Sequence, residues 1–166
     1  MATRLQVPLE EYLSTSFSPD CEYLDGEIRE RNVGEYPHSK VQRRLMAFFE
    51  RMAANHPVHP APELRVQVTP TRYRVADLAV FLGEEPLENA PSRPPLVVVE
   101  VVSREDRYVE ITEKLEEYRR WGVPHVWLVD PWLRRLFVHS GQGLQETGVF
   151  DLPELETRIT ASEIFS

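Results

Sequence analysis

The chain has 166 residues, of which 42% are hydrophobic and 28% are charged, and its formal net charge is −8. This length is sufficient for one domain with a real core, and we expect a single domain over residues 1–166 with its core at about 22–140. The acidic balance argues against tight, sequence-blind coating of nucleic acid but permits a local basic surface. The single cysteine, Cys21, excludes an internal disulfide and a thiolate-rich metal site.

The sequence does not suggest a membrane or secreted protein. The first eight residues lack the apolar core of a signal peptide, and no apolar run approaches the roughly 20 residues of a transmembrane helix. Together with the cysteine usage, this predicts a cytoplasmic protein.

The first elements predicted are a short helix and a hairpin. Residues 8–13 start with a proline and favour a helix with that proline near its first turn. Asp25-Gly26 lies between the β-prone segments 21–24 and 28–31, which is a strong signal for a two-residue hairpin. Glu27 therefore opens the returning strand.

A longer helix is predicted after Tyr36-Pro37. Apolar residues recur there with helical spacing, at Val41, Leu45, Phe48, Phe49 and Met52. This stripe should pack on a sheet. His38 lies three residues before Val41 and should project from the first turn on the buried side. It is either a satisfied core histidine or cap, or a functional group.

Two strands are predicted next, after a proline-rich connector at 56–62. Residues 64–68 alternate between apolar and polar side chains, and residues 73–81 form a mostly apolar strand. That second strand carries one carboxylate, Asp77. A proline- and glutamate-rich loop at 83–95 follows.

The most informative segment is 96–103, an almost unbroken run of β-branched residues with Glu100 in its middle. Such a run is typical of a strand that is covered on both faces. Because a buried, unpaired carboxylate is costly, Glu100 needs a partner, a metal or a shifted pKa. The alternative to a functional role is a salt bridge with an arginine that only fixes the register of the strand.

A third helix is predicted with a buried stripe formed by Tyr108, Ile111, Leu115 and Tyr118. Lys114 lies at the edge of this stripe, so its ammonium could reach back toward the sheet. The alternative is an exposed helical pair with Glu110.

The rest of the chain predicts further strands. Gly122 ends the helix, Val126–Val129 is a buried strand that ends at a turn capped by Asp130, and residues 136–139 return beside it. The segment from Glu100 through the Lys114 helix to Trp127 is therefore a βαβ unit. A weak strand at 145–148 and a small terminal element complete the chain.

Asp77 and Glu100 lie in successive strands and can meet at one place. Two carboxylates without cysteine favour magnesium or manganese over zinc. A divalent ion there could activate water and stabilise phosphoryl oxygens, and the Lys114 ammonium could assist. This combination indicates metal-dependent phosphodiester hydrolysis.

Several short motifs carry a resemblance to a known family. They are 23–27 (Tyr-Leu-Asp-Gly-Glu), His38, Ala76-Asp77, 99–103 (Val-Glu-Val-Val-Ser), Glu113-Lys114 and 122–131 (Gly-Val-Pro-His-Val-Trp-Leu-Val-Asp-Pro). In this order and spacing they resemble the Uma-two family of putative restriction endonucleases, within the PD-(D/E)XK nuclease superfamily. No single motif is specific, but the combination is.

The resemblance implies an α/β fold with a restriction-endonuclease-like core, in which helices flank a mixed central β-sheet. It also implies that Asp77 and Glu100 are metal ligands, that Lys114 is supplied from the helix, and that Glu27 and His38 border the same site. The sequence departs from the pattern where Ala76 replaces the usual proline and Val102 replaces the lysine of many superfamily members. It departs again where Glu110 replaces an aspartate and Arg104-Glu105 replaces a proline-containing turn.

The leading hypothesis is a magnesium-dependent DNA endonuclease, with manganese as a possible substitute, that acts as a homodimer. Basic residues are predicted to contact DNA phosphates, namely Lys40, Arg43, Arg44, Arg72 and Arg74. A second hypothesis is a nucleic-acid-binding or protein-interaction module that keeps the nuclease fold with little or no catalysis. A third treats both acids as structural ion pairs with arginines such as Arg65 or Arg74.

Overall fold

The long apolar runs of the sequence form the strands of one central sheet, and the amphipathic segments form helices against it. The computed structural model describes residues 6–166. In this part of the chain the helices are α1 (Leu9–Ser14), α2 (Tyr36–Ala53), α3 (Tyr108–Trp121) and α4 (Ala161–Phe165). The strands are β1 (Glu22–Leu24), β2 (Glu27–Arg29), β3 (Val58–Thr69), β4 (Arg72–Leu82), β5 (Val97–Val101), β6 (His125–Asp130), β7 (Arg135–Ser140), β8 (Gly143–Thr147), β9 (Val149–Leu152) and β10 (Thr157–Thr160).

The central sheet has the order β2-β1-β4-β5-β6-β7-β8, and β3 pairs with β4 outside this path. All pairings in it are antiparallel except β5 with β6, which are parallel and joined through α3. The remaining two strands, β9 and β10, form a separate small sheet. The predicted α/β fold with a mixed central sheet flanked by helices is thus confirmed.

The core lies on both faces of the sheet. On one face α2 packs with the β9–β10 sheet and α4, where the rings of Trp127 and Phe150 stack with their centroids 4.1 Å apart. On the other face α3 contributes Leu115 and Tyr118, both fully buried. Because both faces are covered, every residue of β5 is buried, as the β-branched run predicted.

The arrangement of strands along β4 determines where the site forms. β3 follows β4 along most of its length on one edge. On the other edge β1 pairs with the start of β4, at Tyr73, and β5 pairs with its end, at 78–80. Residues 74–77 therefore have no strand partner on this edge, and β1 and β5 diverge there.

The predicted hairpin is confirmed, with a turn at Asp25 and Gly26. Both residues have positive φ angles, 51° and 99°, which suit the two-residue turns that connect antiparallel strands. The side chain of Asp130 accepts hydrogen bonds from the main chain of Trp132 and Leu133, both at 2.9 Å, and so caps its turn as predicted.

Two local predictions are wrong. The proline-rich segment 56–62 is largely strand, because β3 begins at Val58. Pro60 and Pro62 are two residues apart, so their ring nitrogens face the same side of β3. An edge strand such as β3 tolerates prolines where their nitrogens face away from the neighbouring strand and no N–H bond is needed. Tyr108, predicted to belong to the buried stripe, is 72% exposed and is the first residue of α3.

Within residues 6–166, no helix combines the length and apolar character needed to cross a membrane.

Candidate active site

Side chains take the place of a missing strand along the open edge of β4. The main-chain N–H of Val75 donates to Oε1 of Glu22 (3.1 Å), and Lys114 Nζ donates to the carbonyl oxygen of Val75 (2.9 Å). The gap between β1 and β5 is thus filled by charged groups from β1 and α3. Because buried main-chain groups must find partners, these charges are held there by the fold.

Asp77 lies at the point where β5 separates from β4. Its Oδ1 accepts from Arg31 Nη2 at 2.7 Å. Its Oδ2 accepts from the main-chain N–H of Val101 at 2.7 Å and lies 3.3 Å from His38 Nε2. Burial acts to raise the pKa of Asp77, but the hydrogen bond and charge of His38 and the charge of Arg31 hold it well below its usual range.

Glu100 has an environment of the opposite kind. Its Oε1 accepts a hydrogen bond from Tyr118 Oη (2.8 Å) and forms an ion pair with Lys114 Nζ (3.0 Å), whereas its Oε2 accepts no hydrogen bond from residues 6–166. Burial raises the pKa of Glu100 to about 8, Asp77 adds to the effect by charge repulsion, and Lys114 opposes it. The two predicted metal ligands are therefore neighbours whose negative charges repel each other.

Lys114 connects the groups of the site. Its ammonium lies 2.6 Å from Glu22 Oε1 and 3.0 Å from Glu100 Oε1, in addition to its bond to Val75. Although burial acts to lower the pKa of Lys114, the two carboxylates raise it, so the side chain carries a positive charge. The lysine reaches back to the sheet, and within residues 6–166 the exposed pair with Glu110 does not form.

Glu22 and Arg74 form the inner wall of the network. Glu22 Oε2 lies 3.0 Å from Arg74 Nη1, and Arg74 also binds Glu117 through Nε at 2.7 Å. Burial opposes ionisation of Glu22, yet Lys114 and Arg74 lower its pKa to about 2. Glu22 is thus a permanently charged carboxylate that holds the lysine in place.

These groups line a cavity of about 840 Å³. Asp77, Glu100 and Lys114 lie along it together with the other two predicted site residues, Glu27 and His38. His38 is 6% exposed, as its predicted position on the buried side of α2 required. The structure thus brings all five predicted catalytic residues to one cavity.

The predicted nucleic-acid contacts are arranged differently. Arg74 is 2% exposed, and its guanidinium is bound by Glu22 and Glu117, so it has no free surface for a phosphate. The guanidinium of Arg72 is bound by carboxylates as well, those of Asp25, Glu113 and Glu117. Lys40, Arg43 and Arg44 lie on α2 but do not line the cavity.

Three important residues of the site were not identified from the sequence. Arg31 follows a three-residue strand and reaches Asp77 from a segment without periodicity, so no sequence signal marks it. Glu22 faces the cavity from β1, whereas the sequence pattern indicates Glu27 on the returning strand β2. Tyr118 was recognised as a core residue, but its hydrogen bond to Glu100 was not foreseen.

Arg65 and Arg74, the arginines suggested as ion-pair partners of the two acids, are paired with other carboxylates. Asp77 is paired with Arg31, and Glu100 is paired with Lys114. Arg65 binds Asp20, and Arg74 binds Glu22. Both acids therefore have cationic neighbours, although neither neighbour is an arginine named from the sequence.

The donor set fits a divalent cation. Asp77 and Glu100 offer hard carboxylate oxygens. Their negative charges repel each other, and a divalent cation bound between them would relieve this repulsion. Among the described residues no three His, Cys, Asp or Glu side chains form a group that could hold a metal. Mg²⁺, however, usually binds through one or two carboxylates and keeps several waters, so two ligands suffice.

Comparisons with known proteins identify the family and the fold. A family model described as Uma2, Putative restriction endonuclease, matches residues 9–165. No curated protein matches the sequence. The fold is similar to that of a crystal structure from Anabaena variabilis ATCC 29413, described as a putative nuclease belonging to DUF820. The TM-score is 0.83 at 20% sequence identity, over 96% of this chain and 97% of that chain.

The likeness to that structure shows a shared fold, and the family match, which confirms the resemblance found in the sequence, supports a nuclease. Because the family model covers nearly the whole chain, the chain belongs to the Uma2 family of putative restriction endonucleases.

Proposed function

We propose that the chain is a metal-dependent DNA endonuclease that hydrolyses phosphodiester bonds, with Mg²⁺ as its ion and Mn²⁺ as a possible substitute. The observation that carries the proposal is the meeting of Asp77, Glu100 and Lys114 at the cavity where β4 and β5 diverge. Two carboxylates and one ammonium at a solvent-connected cavity are the groups that metal-assisted phosphoryl chemistry uses.

Asp77 and Glu100 would hold the ion, which when bound supplies Lewis-acid charge for the phosphoryl oxygens and a lowered pKa for bound water. Lys114 would keep a positive charge beside the reacting phosphate, because three oxygens fix its ammonium. His38 would position Asp77, which it contacts at 3.3 Å. Glu27, which also lines the cavity, is proposed as a secondary group of the same site.

The DNA backbone would be contacted first by the unpaired arginines of the cavity. Arg29 and Arg107 both line it, and within residues 6–166 neither guanidinium forms an ion pair. A phosphate can therefore bind them without competing against a carboxylate. Lys40, Arg43 and Arg44 could contact DNA only outside the cavity and stay predictions. Arg74 is not proposed as a DNA contact, because its guanidinium is buried and paired with carboxylates.

Two broader predictions accompany this proposal. A two-fold dimer would place two such cavities on one duplex so that both strands can be cut, and we expect a homodimer for this reason. A cytoplasmic location likewise stays a prediction.

The test is cleavage of supercoiled plasmid by purified protein with Mg²⁺ or Mn²⁺. We expect nicking by the wild type, and a loss of about 10²-fold or more for Glu100→Gln and for Lys114→Ala. Glu146→Gln, on the exposed outer strand β8, is the matched control and should cut at the wild-type rate. Circular dichroism should show that all variants are folded. Equal rates in the wild type and Glu100→Gln would contradict the proposal.

A catalytically weak or inactive module on the nuclease fold is the second candidate. It is favoured by the cationic groups that already pair with both acids, since the network is neutralised without any metal. This module would bind nucleic acid or protein without cutting. It is distinguished by calorimetry: the inactive module takes up no Mn²⁺, whereas the endonuclease takes up Mn²⁺ and loses it in Asp77→Asn.

A further inference from the structure

Arg31 covers the predicted metal ligand Asp77 with a positive charge. Its Nη2 lies 2.7 Å from Asp77 Oδ1, and its Nη1 lies 2.5 Å from Glu63 Oε2. The side chain of Arg31 is 13% exposed and that of Asp77 is 4% exposed, whereas the side chain of Glu63 is 47% exposed. Arg31 thus bridges a buried carboxylate and a carboxylate at the surface of the same cavity.

Arg31 must move if Asp77 is to bind a metal. A guanidinium and a divalent cation repel each other at contact distance. A lysine or histidine could relieve the repulsion by losing its proton, but an arginine does not deprotonate in proteins. Burial acts to lower the pKa of Arg31, yet the neighbouring carboxylates, Asp77 first, raise it further above its usual value.

The chain segment that carries Arg31 permits such a movement. Residues 30–35 connect β2 to α2 and belong to neither. Among the described residues, no main-chain hydrogen bond joins 30–34 to another part of the main chain. The contacts that hold the segment come from side chains, including Asn32 Nδ2 with Asp106 Oδ1 at 2.7 Å.

Glu63 offers a position to which Arg31 can withdraw. It already binds the second nitrogen of the guanidinium, and its Oε1 is held by Gln42 Nε2 at 2.9 Å. The same Gln42 nitrogen donates to the main-chain carbonyl of Asp77 at 2.6 Å. Glu63 is therefore fixed close to Asp77 but outside the buried pair.

We infer that Arg31 is a resident counter-ion of Asp77, and that a divalent cation binds Asp77 only when Arg31 withdraws to Glu63. This inference rests on the metal centre of the proposed function. It assigns Arg31 and Glu63 to the control of metal affinity. Their effects are opposite in sign, because Arg31 competes with the metal and Glu63 competes with Asp77 for Arg31.

The experiment is calorimetric titration of the full chain with MnCl₂ in the absence of DNA. Arg31→Gln should bind Mn²⁺ about tenfold or more tightly than the wild type, because a charge-assisted hydrogen bond no longer has to be broken. Glu63→Gln should bind more weakly, since Arg31 then has Asp77 as its remaining carboxylate partner. Arg120→Gln, at a 76% exposed arginine of α3 that does not line the cavity, is the control and should change the Kd less than about threefold.

The outcomes separate this inference from the proposed function. Tighter binding in Arg31→Gln than in the wild type supports it. A Kd in Arg31→Gln equal to or weaker than that of the wild type overturns it while the metal centre stands. If neither protein binds Mn²⁺, the metal centre and this inference both fail. If Arg31→Gln does not fold, Glu63→Gln decides, since an unchanged or tighter Kd there overturns the inference.

Discussion

Helix α3 carries two charged networks, one on each side, and they differ mainly in burial. On the inner side Lys114 and Tyr118 contact Glu100. On the outer side Glu116 binds Arg119 at 2.6 Å, Arg120 at 3.2 Å and His139 at 2.8 Å.

The same chemistry gives opposite pKa shifts in the two networks. Burial raises the pKa of Glu100 to about 8, with repulsion from Asp77 in addition. Hydrogen bonds from Arg119 and His139 lower the pKa of Glu116 to about 2, because its partly exposed side chain loses little hydration. The inner network is therefore costly to assemble and suited to a ligand of opposite charge, whereas the outer network joins α3 to β7.

The largest expected loss of stability comes from Arg74→Ala, which removes the buried ion pair between Arg74 and Glu22. Removing this guanidinium leaves Glu22 buried without one of its two cations, and Glu117 loses its buried partner. Breaking a buried pair by removing one partner typically costs about 3–5 kcal/mol. Urea unfolding should show a loss of this size, with an unchanged m-value.

Arg120→Ala on the outer network is the control for that loss. Its guanidinium is 76% exposed and lies 3.2 Å from Glu116, so the expected cost is within about 1 kcal/mol. A similar loss of stability in both variants would mean that burial does not distinguish the two networks.

A smaller effect is expected for Glu100→Gln, despite its place in the inner network. The substitution replaces a buried carboxyl group whose ionisation burial and Asp77 oppose, and Lys114 keeps Glu22 and the carbonyl of Val75 as partners. We expect the free energy of unfolding without metal to change by less than about 1 kcal/mol, or to increase. The measurement is urea unfolding in EDTA.

The stability of Glu100→Gln is compared with that of Asp77→Asn, a substitution of the same kind at the other predicted metal ligand. Asp77 binds Arg31, His38 and the main chain of Val101, so its loss should destabilise the protein by more than the loss of Glu100 does. The reverse order of the two variants would show that Glu100 is primarily a structural residue.

The centre of the site could be predicted from the sequence because local patterns mark its residues. Asp77 and Glu100 interrupt apolar strands, and Lys114 lies at a definable angle on an amphipathic helix. The parallel pairing of β5 and β6 then follows from the length of the connecting helix.

The surroundings of the site could not be predicted in the same way. Glu22 and Arg31 reach it because a hairpin of two three-residue strands docks on the start of β4, and nothing local specifies that long-range pairing. The prolines of β3 favour a connector in the sequence, because only the pairing of the strand determines whether a missing N–H matters. The binding partners of each arginine depend on which strands pair. Without the pairing of β1 with β4 the sequence does not show that Glu22 binds Arg74, and so it predicts a surface cation.

The smallest expected effect lies in the outer network and depends on pH. Glu116 has a lower pKa in the folded protein than in the unfolded chain, so the unfolded state binds more protons between about pH 2 and 4.5. Its stabilisation is complete above that range and is lost as the pH falls through it. Glu116→Gln should therefore lower the free energy of unfolding near pH 6 by about 1 kcal/mol or less, and the difference from the wild type should vanish as the pH falls toward 2.

Urea unfolding of the two proteins at several pH values measures this difference, with Glu146→Gln as the control. Glu146 lies 3.7 Å from Arg135, and both side chains are more than half exposed, so its loss should be close to neutral at every pH. If Glu116→Gln and Glu146→Gln give the same pH profile, the contacts of Glu116 with Arg119 and His139 do not stabilise the packing of α3 on β7. A difference confined to pH values above the folded pKa would instead show that the hydrogen bonds of Glu116 strengthen the packing of α3 on β7. They would do so with a smaller desolvation cost than the buried groups on the cavity side of α3.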